Sequence, residues 1–417
     1  METPTTPGGL LGRRLDRLKA SSRPGTPSPA AQRARHAEPL ARALGGEVHG
    51  SVVVLESTFP LSIGSDLLAR LPYPIEAGRP LVCLDLETTG LGTGAGTVPF
   101  MIGVGVFHDQ SLTVRQLLLP DHADERALLD VLSEQIPHDA WLVTYNGRAF
   151  DWPLLVTRFR LYRRDPPVHA GHLDLLPVAR QLWKHRTGSA RLATIEDVVC
   201  AVVRKDDLPG ACVPERYFGY LRTREPEGLR QVVEHNRQDI VSLGLLLAVL
   251  ARDVASPSGW HRLHPGDLAG LARGYARGGA AEDALRCVEG ALAHTAWSQG
   301  IVDGAPLRRY LSAERARLLA RMGRRQDAYE AWLEIARRSG PGAAAAWLHV
   351  ARYREHRLRD LAGAIEACRE AASVAERARA WGRPMHDVER DLARRMARLR
   401  RRSLTARRFS GGESRAA

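Results

Sequence analysis

Asp85 and Glu87 stand two residues apart in LVCLDLETTGLG, Asp151 lies in TYNGRAFDWPLL, and Asp239 in VEHNRQDIVSL. The first pair falls on an apolar run that reads as a buried strand, so both side chains leave the same face. Val82, Cys83, Leu84 and Leu86 surround them, and two carboxylates in such a setting are costly to bury without a counter-charge. His235 and Asp239 are i and i+4 on a helix and share one side of it. Carboxylates gathered at one point repel one another and raise their own pKa values unless a cation lies between them. Hard divalent ions with oxygen ligands are the usual solution, and a pair of Mg2+ (or Mn2+) ions is the machinery of phosphodiester hydrolysis. In that scheme Asp85 is shared by both ions, Glu87 supports one, and His235 takes a proton from an attacking water.

Blander readings stand beside these. Asp151 follows Asn146-Gly147 at a strand-to-helix junction, where an aspartate taken alone reads as a helix cap. A single histidine beside Glu234 reads equally as a solvated or structural side chain. Gly90 to Thr97 is glycine-rich, yet it lacks the Gly-Lys-Ser/Thr ending of a phosphate loop and precedes a strand, not a helix. It reads as a flexible lip where a nucleotide backbone can come close. Asp174 and Glu196 read as helix-start acids, with Asp174 a supporting candidate at the site.

The elements that must position these residues follow from periodicity. SVVVLES, PLVCLDLE (80–87), VPFMIGVGVF (98–107), LTVRQLLLP (112–120) and WLVTYNG (141–147) read as strands, the third and fourth joined as a hairpin through His108 to Gln110. Helices are expected over 123–136, from Trp152, over 173–186, and from Glu227 to Asp253. This pattern describes an α/β domain over 45–255, a mixed sheet flanked by helices. After the break at Ser256 to Gly259, three Ala/Leu/Arg-rich segments (276–293, 320–336 and 354–371) align with Ala284, Ala328 and Ala364 in register. Small residues there let helices approach closely, which predicts tetratricopeptide-like helix-turn-helix repeats over 260–380; an unspecialised helical bundle is the alternative. An Arg-rich helix and tail fill 381–417. Residues 1–44, rich in Pro, Gly, Ser, Thr, Ala and Arg, are expected to be a disordered basic tail.

Of the net charge of +13, residues 1–42 carry +5 and 381–417 carry +7, leaving the middle of the chain near neutral. Basic tails suit a polyanion. Only Lys19, Lys184 and Lys205 are lysines, so an arginine-biased composition explains the charge equally well. No apolar run is long enough to span a bilayer, and no secretory signal is read at the N-terminus. Five scattered cysteines without a Cys-x-x-Cys pair read as free thiols in a reducing cytoplasm.

Over about residues 45–253 the chain resembles the DEDD superfamily of 3'→5' exonucleases on the ribonuclease H-like fold, and within it the YprB-type domain. The resemblance rests on DLETTGLGTGAGTVPFMIGVG, YNGRAFDWPLL, HLDLLPVARQLWKHR with LATIED, and HNRQDIVSL, in that order. It implies that Asp85, Glu87, Asp151 and Asp239 hold the metals, that His235 is the base, and that Leu91 abuts the terminal nucleotide, with Thr88 and Asn146 beside it. Superfamily members that use histidine place it five residues before the last aspartate; here that position is Glu234, and His235 stands four before. The YprB-type pattern carries His-Asn at this point. The expected activity is metal-dependent release of nucleotides from a single-stranded 3' end of DNA or RNA. The alternatives are a silent nuclease-fold scaffold acting through its repeats, with a protein or nucleic-acid partner, and a structure-selective endonuclease.

Overall fold

The computed structural model describes residues 29–410 apart from 74, 91, 93, 206–207, 298–303, 339 and 341. It divides into two compact units. One comprises Met1–Gly64, Ile75–Leu176 and Glu196–Ala248; the other comprises Ser65–Pro74, Pro177–Ile195 and Val249–Ala417.

The first unit opens with α1 (Pro29–Leu44), against the disorder expected for residues 1–44. The first 28 of those residues lie outside the described ones. The remainder, PAAQRARHAEPLARAL, is rich in Ala, Arg and Leu, good helix formers that the tail's averaged composition conceals. Ala37, Leu40 and Ala41, at helical spacing, are buried in the core of the sheet unit, and that burial secures the helix.

Seven strands follow: β1 (Glu47–His49), β2 (Val52–Pro60), β3 (Leu81–Thr88), β4 (Pro99–His108), β5 (Ser111–Leu118), β6 (Trp141–Thr144) and β7 (Gly171–Asp174). Their order in the sheet is β1-β2-β5-β4-β3-β6-β7. β3 runs antiparallel to β4 and parallel to β6, so the sheet is mixed. β7 corrects the expectation of one helix over 173–186: the chain pairs with β6 up to Asp174 before turning helical. Two apolar residues, Leu173 and Leu175, bracket the change and conceal it from a periodicity count.

The helices of this unit are α2 (Glu125–Gln135), α3 (Asp151–Leu161), α5 (Val213–Thr223) and α6 (Glu227–Val249); α4 (Leu175–Leu182) begins in it and runs on into the second. Leu128, Leu129 and Leu132 bury one side of α2. The ring of Tyr217 from α5 stacks on Phe100 from β4, centroids 4.0 Å apart. α6 lies on β4 where glycines make room. A Cβ on Gly103 would stand 2.5 Å from Asn236 Oδ1, and one on Gly105 would stand 2.6 Å from Ile240 Cγ2. The GVG of the apolar strand is therefore the seat of the helix that carries His235 and Asp239.

The second unit is all helical, as the repeats predict: α7 (Pro265–Arg277), α8 (Ala281–Leu292), α9 (Ala305–Arg321), α10 (Arg325–Arg337), α11 (Ala343–Tyr353), α12 (Leu361–Ala380) and α13 (His386–Ser410). Consecutive helices pack on one another along the series. Ala284, Ala328 and Ala364, the aligned small residues, are all buried on α8, α10 and α12. No described helix is long and apolar enough to cross a membrane. The five cysteines form no disulfide with one another; Cys83, Cys287 and Cys368 are buried, Cys200 and Cys212 half-buried.

Candidate active site

β3 delivers Asp85 and Glu87. Asp85 pairs across the sheet with Gly103, and the ladder slips just after Glu87, between Glu87 and Thr88. The missing side chain at Gly103 lets Asn236 of α6 reach over, and its Nδ2 donates to Asp85 Oδ2 at 2.9 Å. Asn236 is itself fixed, because Gln116 Nε2 on β5 donates to its Oδ1 at 3.0 Å and to the Val233 carbonyl at 2.8 Å. With its oxygen occupied by a donor, the Asn236 amide can only present hydrogens to Asp85.

Asp151 is the first residue of α3, and the N-cap position is Phe150. The cap reading therefore does not describe it. The turn before it is shaped by Asp174 at the end of β7. Its buried carboxylate accepts from the backbone N–H groups of Asn146 (2.7 Å), Arg148 (3.3 Å) and Leu176 (3.0 Å). Asn146 stands at φ 70, a left-handed conformation that asparagine tolerates. Asp174 thus organises the loop that launches Asp151, beyond the helix-start role read from sequence.

From α6, Asp239 completes the group. Its Oδ2 lies 3.9 Å from His235 Nε2, and its Oδ1 accepts from Arg204 Nη2 at 2.5 Å. Arg204 also grips Glu196, Nε to Oε1 at 2.5 Å and Nη2 to Oε2 at 2.9 Å. Glu196 is fully buried and accepts from Ser242 as well.

The four acids act on one another. The Asp85 carboxyl is pushed well above the usual carboxylate range by burial, then by Asp239, Glu87 and Asp151, against the opposing hydrogen bond from Asn236. Burial followed by Asp174 raises Asp151 to about 7, with a smaller push from Asp239. Asp239 is raised by burial despite Arg204 and His235. Carboxylates from β3, α3 and α6 therefore stand near enough to raise one another's pKa. All donors are carboxylate oxygens and the charges are alike, which is the donor chemistry of Mg2+ or Mn2+.

Thr88 turns its hydroxyl to the Gly90 carbonyl at 2.6 Å. Leu91, expected against the terminal nucleotide, lies outside the described residues. The rest of the lip is tied down: Val98 N donates to Thr89 Oγ1 at 2.9 Å, and Arg158 Nη1 donates to the Ala95 carbonyl at 2.5 Å. Arg158 comes from α3, two turns beyond Asp151, and is paired with the buried Glu125.

Residue types and spacing did not reveal Arg204, Gln116 or Arg158. Asn236 had a signal, a polar residue three before Asp239 on the same helix, and Gln116 a fainter one, an amide inside an otherwise apolar strand. Arg204 carries none.

The chain matches the family model of the RNase_H superfamily over residues 82–251. It is 32% identical over 298 residues to the uncharacterized protein YprB of Bacillus subtilis (strain 168), spanning 71% of this chain and 70% of that relative. The chain belongs to the YprB family. The stretch matched by the RNase_H superfamily model contains Asp85, Glu87, Asp151 and Asp239. Among solved structures, a Podosopora anserina protein of nearly identical TPR-like repeats is 18% identical, covering 49% of this chain and 94% of its own, at a TM-score of 0.25.

The helical unit holds another grouping, His185, His264 and Asp267, with ligand atoms within 4.8 Å of one another. His185 Nε2 lies 3.1 Å from His264 Nδ1 and 3.5 Å from Asp267 Oδ1. Gly266 N–H donates to His264 Nδ1 at 3.0 Å, and Arg186 donates to both Asp267 oxygens at 3.2 Å.

Proposed function

We propose that this YprB-family chain is a metal-dependent 3'→5' exonuclease that hydrolyses the terminal phosphodiester of a single-stranded nucleic-acid end. The observation that carries the reading is the convergence of Asp85, Glu87, Asp151 and Asp239 from three separate elements, strongly enough that Asp85 resists ionisation. Held by these four carboxylates, two Mg2+ or Mn2+ ions would lower the pKa of a water and offset charge on the leaving 3' oxygen.

The chain's own residues supply the rest. His235, one turn before Asp239 on the same helix, accepts the proton released as the water attacks. Its place four residues before the last aspartate suits that task, because the i,i+4 spacing keeps imidazole and carboxylate together. Asn236 holds Asp85 in one orientation, so little reorganisation is needed on binding. The lip after β3, with Thr88 at its root, and the turn at Asn146 flank the acids and offer backbone groups to the last nucleotide. A closed duplex does not present a terminal phosphodiester to such a recess, which favours a frayed or single-stranded end.

One contact favours a second reading. The Arg204 guanidinium already neutralises one oxygen of Asp239, as expected of a site that has dispensed with a cation and serves as a scaffold. Oligonucleotides labelled at the end or internally, incubated with Mg2+ or Mn2+, separate the cases. Stepwise mononucleotide release that disappears in Asp85→Ala supports the exonuclease. Internal cuts replace it with an endonuclease, and no cleavage with either metal leaves the scaffold.

A further inference from the structure

Some arginines of the helical unit are matched by an acid a turn away: Arg317 with Glu314, Arg324 with Asp327, Arg338 with Glu334. Arg325, Arg352 and Arg357 stand out by lining one cavity together. All three are exposed, and none has a carboxylate partner among the described residues. They line one cavity of about 340 Å³ formed by α10, α11 and the turn that follows, a volume within the roughly 300–1,000 Å³ typical of ligand pockets.

The same cavity is lined by rings. Tyr329 on α10 stacks with Tyr353 on α11, centroids 4.6 Å apart and planes at 24°. Beside them Trp332 stacks on His349 at 4.2 Å and 6°. The spacing explains the wall: Arg325, Tyr329 and Trp332 are i, i+4 and i+7 on α10, while His349, Arg352 and Tyr353 are i, i+3 and i+4 on α11. The tyrosines are half-buried, and their hydroxyls are tied, Tyr353 Oη donating to Gln326 Oε1 at 2.7 Å and Tyr329 Oη accepting from Arg354 Nε at 3.3 Å. The rings are thus set before any ligand arrives. No acidic side chain is among the described residues that line the cavity.

We propose that this cleft binds single-stranded nucleic acid, a base laid on the tyrosine rings and the adjoining phosphates on Arg325, Arg352 and Arg357. Stacking rings interleaved with cations lacking acidic partners suit a polymer that offers flat bases and anions in alternation. An acidic peptide would satisfy the guanidiniums but leave the ring faces without a matching group. The proposal rests on the reading that this chain handles nucleic acid and adds a second place where it is held.

The test is fluorescence anisotropy of labelled oligo-dT and oligo-U with the full chain in a chelator, over about 50–200 mM salt. Because the metal is withheld, hydrolysis plays no part, so binding stands or falls separately from the exonuclease reading. The double variant Arg352→Gln/Arg357→Gln should flatten the log–log salt slope by about 1.4, at ~0.7 for each single-strand phosphate that is no longer neutralised. Tyr353→Leu should weaken binding about 10-fold with the slope unchanged, while Tyr353→Phe should restore it. Melting curves for each variant show that it is folded. Unchanged affinity and slope in the folded double variant would overturn the proposal. So would displacement of the oligonucleotide by poly-glutamate at equal or lower charge concentration, which would assign the cleft to acidic peptides.

Discussion

Asp85 in the sheet unit and Glu355 in the helical unit are both carboxylates turned inward, and their surroundings are opposite. Glu355 is fully buried, yet Arg398, Arg402 and Arg395 donate to it, at 3.1 and 2.7 Å, at 2.8 Å and at 3.4 Å. Burial alone would raise its pKa; Arg398 and the charges around it outweigh burial and hold it below the usual range. Asp85 meets three more carboxylates and one neutral amide, and is pushed well up. A saturated carboxylate of the first kind ties α13 to the turn after α11 and describes architecture. A crowded carboxylate of the second kind costs stability and is retained for what it can bind. The cleft arginines obey the same logic with the sign reversed.

The largest expected effect tests this contrast directly. Asp85→Asn should reduce nucleotide release by about 10³-fold or more. In a chelator near neutral pH it should also raise the melting temperature by about 3 °C, since the fold no longer has to hold a carboxyl protonated there. Glu355→Ala should do the reverse, costing roughly 3 kcal/mol because three guanidiniums lose their common partner. Calorimetry of both variants in a chelator decides; if Asp85→Asn is destabilising there, the crowding argument fails.

Arg204 sits between the two kinds, serving a buried structural acid and a site acid at once. Arg204→Met should cost about 3 kcal/mol by stranding Glu196, and titration calorimetry should show tighter Mn2+ binding as Asp239 Oδ1 is freed. No change in metal affinity would favour the scaffold. Gly103→Ala is smaller in stability, about 1–3 kcal/mol. Displacing α6 should still slow hydrolysis by ~10²-fold, because Asn236 and Asp239 move together.

These variants also mark how far the sequence could be read. The acids were legible because chemistry restricts them to few spacings: i and i+2 on a strand, i and i+4 on a helix. The sheet's centre was legible because β3 and β4 are long apolar runs. β7 was not, since four residues beside an apolar helix carry no period of their own. α1 was lost by averaging Ala-rich residues with a Pro-rich neighbour. Arg204 was invisible for another reason. A long side chain answering two acids 8 and 35 residues away in sequence leaves no pattern; the need for it arises only from the burial of Glu196 in the fold.

The smallest expected effect is on pH, and its sign separates the units. Asp151 titrates at about 7 in the fold against an ordinary 3.8. A raised acid contributes most fully below its unfolded value and loses that contribution as pH climbs through the folded one. The metal-free sheet unit should therefore be more stable near pH 5 than near pH 8. Glu355, held below its ordinary 4.5, behaves in the opposite way: its contribution is present above that value and fades as pH falls through the depressed one. Calorimetric scans in a chelator should show one transition weakening with alkali and another with acid. Because Mg2+ or Mn2+ must displace the Asp151 proton, the rise in melting temperature that either metal produces should grow from about pH 5 to about pH 8. A metal-induced rise that is flat across this range would mean that Asp151 is ionised before the metal arrives, and that the acids of β3, α3 and α6 do not crowd one another as their positions require.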